Sequence, residues 1–389
     1  MESLKDYEIL LGTYEEFVLG YKLNENIRKP EFEASFADHS HAGSVRSLAA
    51  ADKYLITSGA DETVKIFNLR NRSEHGTLNH ADSMINAMKF YDKKHLITCA
   101  EDGKVCIIRT GNWNVEKTLL KHSQGVIDVA VHPSGKMALT IGKDKKLITW
   151  NLIKGRSAFV TNIYEIADFV KWSPDGKRYL VGFYKHVDVY SVDTAAIEFS
   201  VKLFGRSNDV VFLDNETFAL AGGMSQIEIH SLVKQEMVHK FEAHEKRVRC
   251  MSLIDDSTLI TASNDGKVKI WKIAKTEESF EFTEKMELNT KCRITSMVVH
   301  KVPQVMVENT KINPEEVEAL AKMAVKKKRS VGFSEPEKVP NVKETEQTHG
   351  QTLLVEIDND DESTEPKKKK KKKKNKQKLS ENVQQIPRE

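Results

Sequence analysis

One phrase recurs along this chain, as LITSGADETVKIFNL, LITCAEDGKVCIIRT, ALTIGKDKKLITWNL and LITASNDGKVKIWKI. Each copy is an alternating apolar run, a polar tight turn and a second alternating run, the pattern of a β-hairpin rather than a helix. Gly103 and Gly266 stand where such a turn favours positive φ. Six residues beyond the turn aspartates Asp61, Asp102, Asp144 and Asp265 stand Phe67, Ile108, Trp150 and Trp271, and the same register in two weaker copies falls on Tyr190 and His230. The steps between these six positions are 40 to 42 residues. A unit of that length holding four short strands is a propeller blade, and no stack of helix pairs gives paired strands at this spacing.

Six such units lie between about residues 41 and 275, and the flanks supply a seventh. ITSMVVH at 294–300 would be its innermost strand, with ILLGTY, EEFVLGYKL and FEASFAD near the N-terminus as the others. Both ends of the chain then close one blade, which removes free sheet edges. The expected fold is all-β: a seven-bladed propeller over residues 1–300, a linker with a short amphipathic helix over 301–330, and a disordered lysine-rich tail over 331–389.

Upstream of the four strong hairpins stand His41, His80, His122 and His244, each 20 to 22 residues before its aspartate, and four residues before each aspartate is a threonine: Thr57, Thr98, Thr140 and Thr261. These positions resemble the WD-repeat family, in which His, Asp, Ser or Thr and Trp form a hydrogen-bonded network within a blade. The sets to consider are His41, Thr57 and Asp61; His80, Thr98 and Asp102; His122, Thr140, Asp144 and Trp150; and His244, Thr261, Asp265 and Trp271. Such a chain of partners leaves no buried polar group unpaired. A catalytic triad would use similar residues, but it would occur once, not four times. Blades 1 and 2 lack the indole, and blades 4 and 5 lack both histidine and turn aspartate, so their sheets must rely on apolar packing.

Aligning the innermost strands places Ser47, Asn86, Asp128, Asp168, Asp209 and Cys250 at equivalent positions. If Asp128, Asp168 and Asp209 face the channel mouth, blades 3 to 5 carry an acidic crescent suited to a basic partner. The alternative is that each aspartate caps its own turn. No phosphate-binding loop, dinucleotide fingerprint, HExxH or GxSxG occurs, so neither an enzyme nor a cofactor is implied. Four cysteines without metal-ligand spacing point to a reducing compartment. No apolar run approaches the roughly 20 residues of a membrane helix, and the N-terminus lacks the pattern of a secretion signal.

The charge is uneven. Residues 1–300 carry 40 Lys and Arg against 41 Asp and Glu, whereas the last 89 carry 20 against 16. Beyond residue 310 Phe333 is the sole aromatic, and such a segment cannot bury a core. One helix is expected from Asn313 and Pro314 through the stripe Val317, Leu320, Ala321, Ala324 and Val325, ending in Lys326, Lys327, Lys328 and Arg329. Lys367, Lys368, Lys369, Lys370, Lys371, Lys372, Lys373 and Lys374 form an unbroken run. It reads as a nuclear or nucleolar address and a non-specific RNA contact, without the aromatics that sequence readout needs.

Two stretches go beyond the blade pattern: EHGTLNHADSMINAMKFYDKKHLITCAEDGKVCI at 74–107 and HPSGKMALTIGKDKKLITWNLIKGRSAFVTNI at 132–163. They resemble the p21-activated protein kinase-interacting protein family, whose fungal members are large-subunit ribosome assembly factors. The resemblance implies a nucleolar, non-enzymatic scaffold whose partners are large-subunit precursor particles and their assembly factors; the protein is expected to be a monomer within larger complexes, and the lysine run adds an expected non-specific rRNA contact through the tail. For animal members it implies binding to the regulatory region of p21-activated kinase, which makes a kinase-restraining adaptor the alternative.

Overall fold

Alternating runs such as Tyr54–Gly59 and Val64–Asn68 pair antiparallel across their tight turns, with Thr57 opposite Lys65 and Ile56 opposite Ile66. In the computed structural model, which describes residues 6–24, 31–80, 82–203, 205–221, 225–276 and 279–302, this pairing builds seven antiparallel sheets of four strands. Their innermost strands are Val45–Ala51, Ile85–Asp92, Val126–Val131, Ala167–Trp172, Val210–Phe212, Val248–Asp255 and Ile294–Lys301, which define blades 1 to 7. The chain is a seven-bladed β-propeller. The helix anticipated after Asn313 and the lysines at 326–328 and 367–374, with Arg329, lie outside the described residues.

Blade 7 takes its innermost strand from Ile294–Lys301 and its other three from Tyr7–Thr13, Val18–Asn24 and Glu31–Asp38. Ring closure is therefore a ladder of backbone hydrogen bonds, with Leu10 opposite Val298 and Leu11 opposite Met297. An ion pair reinforces it: Glu8, fully buried on the N-terminal strand, meets Arg72 of blade 1 at 2.5 Å.

Each blade is buried on both faces because it has two neighbours. The apolar core is accordingly divided into clusters drawn from successive blades. Ile56, Val64 and Ile66 of blade 1 pack against Ile85, Leu96 and Ile108 of blade 2, and Leu10, Val18 and Phe36 of blade 7 pack against Val45, Leu55 and Phe67 of blade 1. Each such side chain, fully buried, contributes roughly 1.5–3 kcal/mol. The outermost strands, such as Val115–Leu120 and Arg156–Asn162, remain largely exposed.

Blade 3 forms the complete polar network. His122 Nδ1 lies 2.9 Å from Asp144, His122 Nε2 lies 2.8 Å from Thr140 Oγ1, and the Trp150 indole donates to Thr140 at 2.8 Å. Proton accounting fixes the roles: Nδ1–H donates to the carboxylate, so Nε2 accepts from the threonine hydroxyl, which accepts from the indole. Gly142 leaves room for it, since a Cβ there would stand 2.6 Å from both Asp144 Oδ1 and His122 Nδ1. Blade 1 repeats the arrangement with His41, Asp61 and Thr57, without an indole because Phe67 fills that place.

Blades 2 and 6 depart from the expected set. His80 and His244 still meet Thr98 and Thr261, at 2.9 and 2.7 Å, and Trp271 donates to Thr261 at 3.0 Å. Their aspartates, however, turn back to cap their own turns. Asp102 accepts from the Lys104 amide at 3.0 Å and pairs with its ammonium at 2.8 Å, and Asp265 accepts from the Lys267 amide at 2.9 Å. The position held by glycine in blades 1 and 3 is Ala100 in blade 2 and Ser263 in blade 6, whose Cβ atoms occupy the space into which the pair would close. His80 Nδ1, His244 Nδ1 and Asp265 Oδ2 have no hydrogen-bond partner among the described residues. In blade 4 an aromatic stack replaces the network, with Tyr179 and Tyr190 at 4.9 Å and Trp172 edge-on to Tyr179.

Asp144→Ala should therefore lower stability by about 1–3 kcal/mol, because it strands a buried histidine N–H. Asp102→Ala, which removes only a turn cap and a surface pair, should cost less than about 1 kcal/mol. Thermal unfolding of the two variants side by side tests this, and equal losses would contradict the assignment.

Burial lowers the pKa of His244 to about 4, whereas an unfolded histidine titrates near 6.5. The unfolded chain thus takes up a proton that the fold refuses. The stability held by neutral His244 is complete above about pH 6.5 and is lost as pH falls towards 4, by up to roughly 3 kcal/mol. His244→Gln should lower the melting temperature at pH 7.5 yet flatten its decline between pH 6.5 and 4. A decline as steep as that of the unmodified protein would rule out this histidine as its source.

Candidate functional site: the channel mouth

The innermost strands begin at one end of the central channel, and their first residues decide what that mouth presents. In six of the seven blades the strand opens with a β-bulge that leaves one residue out of the ladder: Arg46, Asn86, Ile127, Asp168, Arg249 and Thr295. A bulge re-aims the side chain it carries. The expected equivalence of Ser47, Asn86, Asp128, Asp168, Asp209 and Cys250 is corrected on this point. Asn86 and Asp168 are bulge residues, while Ser47, Asp128 and Cys250 follow their bulges, one position deeper.

These two layers staple neighbouring blades where no backbone ladder joins them. Ser47 accepts from the Met88 amide at 3.2 Å, Asp128 from the Val170 amide at 3.0 Å and Asp209 from the Met251 amide at 2.9 Å. Asn86 and Asn208 donate to the carbonyls of Val126 and Val248, both at 2.8 Å, and Thr295 donates to Val45 at 2.6 Å. Arg206 completes the joint between blades 4 and 5 by a two-pronged contact with Asp168 at 3.1 and 2.5 Å.

Asp128, Asp168 and Asp209 do not form a continuous acidic row. Asp168 is covered by Arg206. Asp209 pairs inside the channel with Lys171 at 3.3 Å, whose pKa that carboxylate raises. Burial raises the pKa of Asp128, against the pull of Lys171 and the Val170 amide. Lys89 stands in the same channel, where the charge of Lys171 and then burial lower its pKa. Carboxylates and ammonium groups from blades 2 to 5 thus compensate one another below the mouth.

What remains uncompensated at the mouth is positive. Arg46, Arg247, Arg249 and Arg293 are exposed, and none has an ion-pair partner among the described residues. The repeat period does not reveal these arginines, which come from blades 6, 7 and 1 and lie up to 247 positions apart. The available signal was that Arg46 and Arg249 stand one residue before the aligned positions Ser47 and Cys250. Among the described residues no group of three or more His, Cys, Asp or Glu side chains could hold a metal ion, and the four cysteines form no disulfide with one another.

Comparison with known proteins agrees with this anatomy. The family described as "WD domain, G-beta repeat" matches residues 31–68, 113–151 and 235–272, windows that end on the third strands of blades 1, 3 and 6. The chain is 37% identical over 296 residues to "p21-activated protein kinase-interacting protein 1-like" of Danio rerio, covering 75% of this chain and 80% of that protein. The chain belongs to the p21-activated protein kinase-interacting protein 1 family. Two fungal proteins are similar at lower identity. "Shk1 kinase-binding protein 15" of Schizosaccharomyces pombe is 29% identical over 67% of this chain and 76% of its own length, and "Protein MAK11" of Saccharomyces cerevisiae is 24% identical over 74% and 83%. As a member of this family the chain is a WD-repeat scaffold, and its repeated polar sets are parts of that scaffold.

The staples and the rim should separate in a stability test. Asp209→Ala leaves the Met251 amide and Lys171 without their partner and should cost about 2–4 kcal/mol, whereas Asp168→Ala removes an exposed pair worth about 1 kcal/mol or less. Matching melting temperatures for the two variants would show that Asp209 is not a blade staple.

Proposed function

We propose that this protein is a non-enzymatic scaffold in the nucleolar assembly of the large ribosomal subunit. The observation that carries the reading is the run of eight lysines at 367–374 appended to a rigid propeller. A many-sided ring offers fixed surfaces to several protein partners at once, while a lysine run adds sequence-independent attraction to RNA through counterion release. The resemblance carried by residues 74–107 and 132–163 supports the same role. Repetition of the His and Thr contact in four blades gives these residues a structural explanation.

A second reading is a kinase adaptor that restrains p21-activated kinase by binding its regulatory region. The names of two relatives, a p21-activated protein kinase-interacting protein and a Shk1 kinase-binding protein, favour it. The two readings differ in where the protein resides and what its loss disturbs.

On the assembly reading, the protein concentrates in the nucleolus and co-sediments with large-subunit precursors, and depletion lowers free large subunits relative to small ones. Deleting residues 366–389 weakens retention and flattens its salt dependence by about 0.7 in log–log slope per lost contact with single-stranded RNA. Gradient sedimentation and subunit ratios after depletion test this. An evenly cytoplasmic protein, with normal ratios and altered kinase activity after depletion, would decide for the adaptor.

A further inference from the structure

The channel mouth is not evenly charged. On the side of blades 5, 6, 7 and 1, Arg46, Arg206, Arg247, Arg249 and Arg293 line one recess of about 300 Å³. No aspartate or glutamate lines it. Arg206 is held by Asp168, and Arg249 uses its Nε on the Thr295 carbonyl at 3.1 Å. Arg293 lies 5.2 Å over the ring of Tyr14, itself 58% exposed. Asp168 occupies Arg206 and the Glu15 carboxylate accepts from the Arg293 amide at 2.9 Å, but the guanidinium groups of Arg46, Arg247, Arg249 and Arg293 have no ion-pair partner among the described residues, an arrangement suited to an anion supplied from outside.

We propose that this arginine recess binds the phosphate backbone of single-stranded RNA, with Tyr14 as the surface on which a base stacks. The choice of RNA rests on the assembly reading, and three features of the site favour it over an acidic protein segment. The arginines come from four successive blades and so follow the curve of the rim, as a chain of repeating phosphates requires. Guanidinium forks match phosphate oxygens in pairs, and an exposed tyrosine beside them is the usual partner of an unpaired base. The recess also lacks what anchors a peptide side chain: Ile294 is its one aliphatic lining residue and is itself buried. The site is built from propeller residues, none of which belongs to the lysine run.

The test uses the full-length chain with Lys367 to Lys374 all changed to Gln, so that the tail run is silent, and a fluorescent oligouridylate of about ten nucleotides. This protein should bind the RNA with a clear salt dependence. Adding Arg46→Ser, Arg247→Ser, Arg249→Ser and Arg293→Ser should weaken binding at least about tenfold and reduce the log–log salt slope by about 3. Tyr14→Ala alone should weaken it about tenfold with the slope unchanged. Arg109→Ser with Arg156→Ser, away from the recess, should change neither, and unchanged melting temperatures establish that the variants are folded. The proposal is overturned if the lysine-silenced chain does not bind RNA, if the four-arginine variant binds as before, if the distant pair weakens binding equally, or if polyglutamate of equal charge binds as tightly. Because the assay needs only purified protein, a failure in cells with retained binding here would remove the assembly role and leave the site standing.

Discussion

The ring depends on side-chain hydrogen bonds between neighbouring innermost strands. Backbone ladders hold each blade together, and in blade 7 they also pair N-terminal strands with Ile294–Lys301, but among the described residues no ladder passes from one blade to the next. Apolar clusters supply adhesion there without direction. The bonds from Ser47, Asn86, Asp128, Asn208, Asp209 and Thr295 to amides and carbonyls of the following blade fix the register of blade against blade. They lie at the narrow end of the wedge that each sheet forms, where small displacements would propagate outwards.

That requirement explains the chemistry of the channel. Carboxylates placed to receive amides from the next blade bring negative charge into a confined space, and Lys171, with Lys89 nearby, compensates it. The polar sets of the individual blades work on a different joint, pinning the turn between strands to the loop that enters the blade. Blade 3 completes its set, and blade 1 does so without the indole. Blades 2 and 6 keep the His and Thr contact but lose the link to Asp, and blade 4 replaces the set with stacked aromatic rings. The propeller tolerates this variation because each blade is also clamped by two apolar interfaces.

The bulges connect architecture to surface. By expelling one residue from six of the seven innermost ladders, they set side chains at the mouth that the strand period alone would have assigned elsewhere. Arg46 and Arg249 reach the rim in this way, while Asp168, also expelled, meets Arg206. The net result is a mouth whose arginines on one side, Arg206 excepted, have no ion-pair partner among the described residues.

The sequence by itself determined the seven-bladed propeller, because alternation and a period of 40 to 42 residues are local properties that survive in weak copies such as those around Tyr190 and His230. It also determined which side chains meet within blade 3, since His122, Thr140, Asp144 and Trp150 occupy fixed places on one hairpin and the loop before it. Family membership was legible for the same reason, in contiguous runs such as WNLIKGRSAF. Only the tertiary structure decided that Asp102 and Asp265 turn away from their histidines, because that choice rests on the volume of one Cβ against a competing turn amide. It alone decided the sign of the mouth. Bulges shift register by one residue without altering the period, and the arginines that gather there come from segments which only closure of the ring brings together.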